Sequence, residues 1–283
     1  MKTIDAHVHF SRIASFEDCA RNISEVDYSG GGYLREAAAT EVVQSVCMGL
    51  TETTPGGFPD ARSCTPMTTD IQASLPAGMS VCLGVNPHTL GERSLSESEE
   101  LIRNGKSVVG LKIYAGYYHV DITDPLYDPV YKLAEKHDLT IVIHTGETYS
   151  ARGLLKYAHP LRVDDLAVTH PEMRIVACHM GVPWVFDACE VAAKNPNVYV
   201  DLSGMLVGNA AFIERQALNP LLLDRYRQAL VFLENYDKVL YGTDWPLAPM
   251  GAYVDFCRKL IPAQEHEKVF YRNALKVYKL QEA

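Results

Sequence analysis

Three features of the 283-residue sequence predict a single-domain α/β fold, the (β/α)8 (TIM) barrel. Eight short runs rich in Val and Ile recur along the chain, of the near-continuous apolar kind that strands adopt when both faces are covered. Helix-like or loop segments separate them, the alternation that builds a parallel sheet. The length is close to that of a typical eight-unit barrel. No composition break, internal repeat or low-complexity tract marks a linker, so one domain over residues 1–283 is expected.

The predicted strands are 2–10 (KTIDAHVHF), 41–50, 80–87, 107–116, 140–147, 174–181, 197–204 and 238–246. Between them, 124–138 places Leu126, Val130, Leu133 and Ala134 on one helical face, with Asp and Pro at its start. Segments 184–196 and 251–262 read as helices ended by proline, and 265–280 as a terminal amphipathic helix. Two connections are long, 11–40 with its YSGGGY stretch and 205–237. Loops of that size after barrel strands form lids or pocket walls.

Composition narrows the function classes. Apolar residues make up 47% and charged residues 22%, an ordinary globular balance. A net charge of −9 argues against nucleic acid or an anionic membrane as partner. Apolar runs fall far short of a bilayer span, and Asp5, His7 and His9 interrupt any N-terminal signal core. Seven scattered cysteines with no C-x-x-C read as reduced core residues of a cytoplasmic protein.

In a barrel strand, alternate residues face the interior. On the first strand this sends Asp5, His7 and His9 inward and Ile4, Ala6, Val8 and Phe10 toward the helices. On the fourth, Gly110, Lys112 and Tyr114 face in, while Val109, Leu111 and Ile113 face out. The fifth gives Val142 and His144 inward, the sixth Ala177 and His179, the seventh Asp201, the eighth Gly242 and Asp244. Six strands thus carry an inward ionisable residue near the C-terminal end, where barrel active sites are built. Singly, each has an ordinary reading: a bonded core histidine, or a turn aspartate in GTDWP. Together they agree on face, depth and chemistry, and buried charges need partners or a metal. Imidazole with carboxylate suits Zn²⁺, Mn²⁺ or Fe²⁺. His7 and His9, about 6–7 Å apart along one strand face, can converge on one ion.

This pattern resembles the amidohydrolase superfamily of metal-dependent barrels. Its signature is His-x-His ending strand one, a strand-four residue that is often Lys, His ending strands five and six, and Asp ending strand eight. Here those positions are His7, His9, Lys112, His144, His179 and Asp244. The phrases IHTG, CHMG, VDLSG, YGTDWP and RNALKVY are most similar to the amidohydrolase-related (amidohydrolase 2) branch, which holds lactonases, small ester or amide hydrolases and non-oxidative decarboxylases.

The resemblance implies His7, His9, His144, His179 and Asp244 as metal ligands. It implies one Zn²⁺, with Mn²⁺ and Fe²⁺ as alternatives, or two ions if Lys112 is carboxylated as in dihydroorotase-type enzymes. Asp244 would move the proton of the attacking water, and His179 would polarise the substrate carbonyl. Asp5 and Asp201 are candidate acceptors that orient ligand imidazoles. Arg12 sits where the family binds a substrate carboxylate, with Lys112, Tyr114, Arg152 and His88 as further pocket residues. The leading expectation is a hydrolase of a lactone, ester or amide of a small carboxylated compound. The alternative is a metal-dependent decarboxylase of an aromatic or unsaturated acid, and a non-catalytic binding barrel comes third. A small-molecule substrate is the expected partner, with no nucleic acid or membrane; a homo-oligomer is compatible with the family.

Overall fold

The computed structural model describes residues 1–69, 71, 75–105 and 107–282. Eight parallel strands run in sequence order: β1 (Thr3–Val8), β2 (Val42–Met48), β3 (Met79–Val85), β4 (Val108–Ile113), β5 (Thr140–Ile143), β6 (Ile175–Ala177), β7 (Val198–Asp201) and β8 (Val239–Leu240). The residues after β8 close the ring on β1. Ala6 N donates to Tyr241 O at 2.9 Å, Asp244 N to His7 O at 2.8 Å and His9 N to Trp245 O at 2.7 Å. All eight strands fall where the sequence predicts them, and the fold is the (β/α)8 barrel.

The helices α1 (Ala14–Asn22) and α2 (Gly30–Ala39) follow β1, and α3 (Glu92–Asn104) follows β3. Then come α4 (Asp128–His137), α5 (Leu161–Thr169) and α6 (Val185–Lys194), and α7 (Ala210–Gln216) with α8 (Pro220–Leu233) after β7. α9 (Met250–Leu260) and α10 (Asn273–Tyr278) complete the chain. The four predicted helices are present, with 124–138 split into a 3-10 turn at Pro125–Tyr127 and α4, and 265–280 containing a π turn at Lys268–Arg272 before α10. Among the described residues of the β2–β3 connection no helix forms, so that segment is an irregular arm. No helix among the described residues is long and apolar enough to cross a membrane.

Two apolar layers hold the barrel. Leu111, Ile113, Ile141, Ile143, Ile175 and Val200 pack outward against the helices. Val46, Met48, Cys82, Val142, Val176 and Leu240 fill the interior with Ala274, Val277 and Tyr278 of α10. α10 sits at the N-terminal rim, where the Thr140 hydroxyl donates to Val277 O at 2.6 Å. The barrel is therefore a packed core below and open only above.

Strict alternation fails in three places, each for a backbone reason. Asp5 pairs with Ser45 and Val8 with Cys47, so three β1 residues span two of β2, a bulge. Ile4 and Ala6 consequently join the interior, not the helix layer. Asp5 lies on the outer side, its carboxylate taking the Thr243 amide at 2.9 Å and hydroxyl at 2.6 Å. Val8 and Phe10 pack outward with Tyr33 and Met250 as expected. On β4, Val81 pairs with Val108 but Cys82 with Gly110, and the extra Val109 packs on the interior cluster. On β6, Ala177 faces out while Val176 and Cys178 face in. His179 still reaches the interior, because the strand stops at Ala177 and the backbone turns left-handed at His179 (φ 61°) and Met180 (φ 45°).

Candidate active site

The β1 bulge turns both His7 and His9 toward the open end, where the β8 extension delivers Asp244 in a left-handed conformation (φ 66°). Asp244 Oδ1 lies 3.4 Å from His7 Nε2 and 3.0 Å from His9 Nε2, and one ligand atom from each residue falls within a 4.8 Å cluster. Neither approach has hydrogen-bond alignment. His7 Nε2 and Asp244 Oδ1 are thus buried polar atoms without hydrogen-bond partners, which a folded protein rarely tolerates.

A second contact has the same character. His144 Nε2 donates to Glu147 O at 2.9 Å, and His179 Nδ1 donates to Ser203 O at 3.0 Å. Carbonyls only accept, so the remaining nitrogens, His144 Nδ1 and His179 Nε2, present lone pairs to each other across 3.1 Å. Facing lone pairs and orphaned acceptors are what a divalent cation would satisfy. The donor set of imidazole nitrogen and carboxylate oxygen fits a transition-metal ion. His7, His9 and Asp244 form the tight group; His179 stands beside it with Nδ1 4.0 Å from Asp244 Oδ2, and His144 meets the group through His179.

The tautomers are set from behind. Asp201 Oδ2 accepts His7 Nδ1–H at 2.9 Å, while Oδ1 accepts the amides of His179 at 2.8 Å and Ser203 at 3.1 Å. This is the orienting role expected for Asp201; Asp5, by contrast, meets only the His7 amide, at 3.2 Å, and Thr243. Burial pushes the Asp244 carboxyl up, but the imidazoles of His179, His7 and His9 outweigh it and hold the group well below the carboxylate range. Burial likewise raises Asp201, and His7 reverses the effect. Burial lowers His179 to about 4, against the pull of Asp244. It lowers His144 further, with His179 and Lys112 adding to it, and His7 moves the same way. His7, His144 and His179 are therefore neutral near pH 7, with lone pairs available.

Above this cluster lies a cavity of about 360 Å³ lined by His9, Lys112, His144, His179 and Asp244 at depth. Its walls are aromatic: Phe16 packs on His9 (centroids 4.5 Å), Tyr117 on His144 (4.8 Å) and Phe58 on Tyr117 (4.8 Å). A second recess of about 250 Å³, lined by Thr145, Glu147, Thr148 and Val207, shares Tyr117, His144, His179 and Asp244 with the first. Lys112 is 1% exposed, and its ammonium donates to Cys178 Sγ at 2.9 Å.

Tyr114 lines the cavity with its ring, its hydroxyl being committed to Gly49 O at 2.7 Å. Arg152 stands at the cavity wall and donates to Gly57 O and Phe58 O at 2.8 and 2.6 Å, holding the β2–β3 arm. Arg12 corrects the sequence expectation: it is exposed and lines a separate depression with Glu17, Tyr28 and Ile71. The chain turns after Phe10, and the α1 residues Ser15 and Phe16 take the place at the cavity instead. His88 packs on Tyr118 and is not among the lining residues.

Sequence reasoning missed Phe16, Leu50, Phe58, Tyr117, Ser203 and Cys178. Leu50 and Phe58 come from the β2–β3 arm, whose Gly-, Pro- and Thr-rich composition over 51–69 is a loop signal that the sequence reading left unused. Of the two long connections singled out, 11–40 contributes Ser15 and Phe16 to the cavity and 205–237 contributes Val207 to the second recess.

The fold has many solved counterparts. A TIM-barrel protein of uncharacterised function from Bordetella bronchiseptica is 19% identical, with TM-score 0.71 and 98% of each chain covered. A probable 2-pyrone-4,6-dicarboxylic acid hydrolase from Acinetobacter baumannii is 16% identical, with TM-score 0.65, covering 99% of this chain and 100% of its own. A 2,6-dihydroxybenzoate decarboxylase from Rhizobium is 15% identical, with TM-score 0.67 and 99% of each covered. At such identities the likeness speaks for the fold alone. A comparison with curated proteins gives no match. The amidohydrolase family model (amidohydrolase 2) matches residues 4–280, nearly the whole chain, and the protein belongs to that family of metal-dependent barrels.

Proposed function

We propose that the protein is a metal-dependent hydrolase of a lactone, ester or amide in a small carboxylated compound. The observation that carries this reading is the position of Asp244 at the junction of two recesses. The larger one offers aromatic walls and the Lys112 ammonium, suited to a ring or unsaturated chain bearing a carboxylate. The smaller one, lined by Thr145, Thr148 and Glu147, gives a polar leaving group its own space. A scissile bond laid across the junction would lie beside Asp244.

A divalent ion held by His7, His9 and Asp244, with His144 and His179 alongside, would supply Lewis acidity to the carbonyl and to water. Lys112 binds the substrate carboxylate and fixes its orientation. The ionised Asp244 accepts a proton from the attacking water as its oxygen adds to the carbonyl carbon. It returns that proton to the leaving oxygen or nitrogen as the carbon–heteroatom bond breaks. Neutral His179, fixed by Ser203 O, holds its ring against the reacting centre. The Phe16, Phe58 and Tyr117 rings keep bulk water from the carbonyl.

The aromatic lining also favours a second reading, a non-oxidative decarboxylase of a small aromatic or unsaturated acid, the activity in the name of the Rhizobium counterpart. Metal-reconstituted protein should be offered carboxylated lactones and esters with a pH indicator, and hydroxybenzoates with CO2 detection. Acid release that falls about 10²–10⁴-fold in Asp244→Asn supports hydrolysis. CO2 release without acid formation from any ester or lactone replaces it with the second reading.

A further inference from the structure

We propose that Arg152 is a positioning residue that sets specificity: its guanidinium clamps the backbone of Gly57 and Phe58, so that the Phe58 ring stands as a stacking face for a planar acid. This rests on the larger recess holding the substrate, and it gives Arg152 a part that needs no contact with the substrate carboxylate.

Phe58 is held from both sides. Arg152 Nη2 donates to Gly57 O at 2.8 Å and to Phe58 O at 2.6 Å. Glu52 Oε2 accepts the Phe58 amide at 3.2 Å, so both backbone polar groups of Phe58 meet a charged side chain. The other Glu52 oxygen accepts the amides of Ala14 at 2.7 Å and Gly56 at 3.1 Å, tying the same stretch to α1. Hydrogen bonds to charged groups are stronger than neutral ones. They matter here because residues 51–60 form no helix or strand of their own. Without the clamp that stretch would have to be ordered each time a ligand binds, which lowers affinity.

Arg152 itself has a firm base. Its carbonyl accepts His119 Nε2–H at 2.8 Å, and the Tyr149 amide on the same loop donates to the Tyr117 hydroxyl at 2.9 Å. The guanidinium therefore joins the loop after β5 to the arm between β2 and β3. Ser150, Ala151 and Arg152 from the loop and Gly56 and Phe58 from the arm line one cavity. The Phe58 ring packs on Tyr117 (centroids 4.8 Å) and Tyr114 (5.8 Å), yet the residue is only part-buried and borders the cavity. A conjugated ring can stack on it; a puckered ring of the same size makes the poorer contact.

The test titrates the Zn²⁺-loaded full chain calorimetrically with benzoate and with cyclohexanecarboxylate, which share a carboxylate and a ring size and differ in planarity. Wild type should prefer benzoate. Arg152→Gln should weaken benzoate by about 2- to 12-fold, the range of one aromatic contact, and leave cyclohexanecarboxylate within about twofold. Phe58→Leu should lose the same preference, and the double variant should lose no more than either single one. Equal losses for both acids in Arg152→Gln would overturn the proposal, because the guanidinium would then hold the carboxylate itself. Full additivity of the two substitutions, or a wild type without preference, would overturn it too. Binding of neither acid by wild type would contradict the substrate class on which the proposal rests, and the clamp's role with it. Trypsin gives a readout free of ligand. The bond after Arg62, an exposed arginine of the same arm, should be cut faster in Arg152→Gln, and an unchanged rate contradicts the clamp.

Discussion

His7 donates its Nδ1 proton to Asp201 Oδ2 across 2.9 Å, with both side chains fully buried. That bond fixes the tautomer and leaves the Nε2 lone pair facing Asp244. The other Asp201 oxygen takes the His179 amide at 2.8 Å, so one carboxylate on β7 positions groups arriving from β1 and β6.

Asp201→Asn should therefore lower metal affinity without removing a ligand. A loss of about 10–100-fold is expected, read by competition with a chromogenic chelator. Unchanged affinity would mean that the orientation of His7 is secured elsewhere.

The turn after β7 is crowded at Gly204. A Cβ there would meet Asp244 Oδ2 at 2.6 Å and His179 Nδ1 at 2.7 Å, and the glycine has φ +59°. Gly204→Ala should cost about 1 kcal/mol or more in stability from the left-handed backbone alone and displace both side chains. The prediction is a lower urea midpoint together with weakened metal binding. A variant with wild-type metal affinity would show that Asp244 and His179 have room that the structure does not.

Lys112→Met keeps length and removes charge. Losing one charge-assisted hydrogen bond to a substrate carboxylate should raise KM by about 10- to 150-fold, the equivalent of about 1.5–3 kcal/mol. A neutral ester of the same substrate should be affected far less. Equal losses for both would place Lys112 in a structural role only.

Two buried groups of the metal-free chain titrate in opposite senses. Burial raises the Asp5 carboxyl to about 7, against the opposing Thr243 bonds, and lowers His179 to about 4. As pH falls from 7 toward 4, folded Asp5 takes up a proton that the unfolded chain does not yet bind, which favours folding. Over the same window the unfolded chain protonates its histidine while folded His179 refuses the proton, which opposes folding. In metal-free Asp5→Asn only the second effect remains. Its stability should fall on acidification more steeply than wild type by about 1 kcal/mol per pH unit, read from urea midpoints at several pH values. Parallel profiles would show that Asp5 is ionised in the folded state.

Much of this was legible in the sequence, for identifiable reasons. Runs such as TIVIHTGE and KVLYGTDWP are buried on both faces, so continuous apolar character located every strand. The ionisable residues at their C-terminal ends located His7, His9, His144, His179 and Asp244 at one mouth. Phase was less legible, because it depends on backbone events that leave little mark on residue type. The β1 bulge moved Ile4 and Ala6 inward, and the early end of β6 exchanged Ala177 for Cys178. The cavity walls were least legible. Phe16 and Phe58 are ordinary aromatics in α1 and in a long arm, and only the path of those segments brings them over the site. Arg12 failed for the same reason in reverse, two residues beyond Phe10 but on the far side of a turn.

The central claim is that His7, His9 and Asp244 hold a divalent ion, and metal content per chain tests it most directly. Protein purified without chelator, then reconstituted with Zn²⁺ or Mn²⁺ and desalted, should retain bound ion that His9→Ala and Asp244→Asn largely lose. Wild-type protein that retains no ion after reconstitution, or variants that retain as much as wild type, would contradict the account.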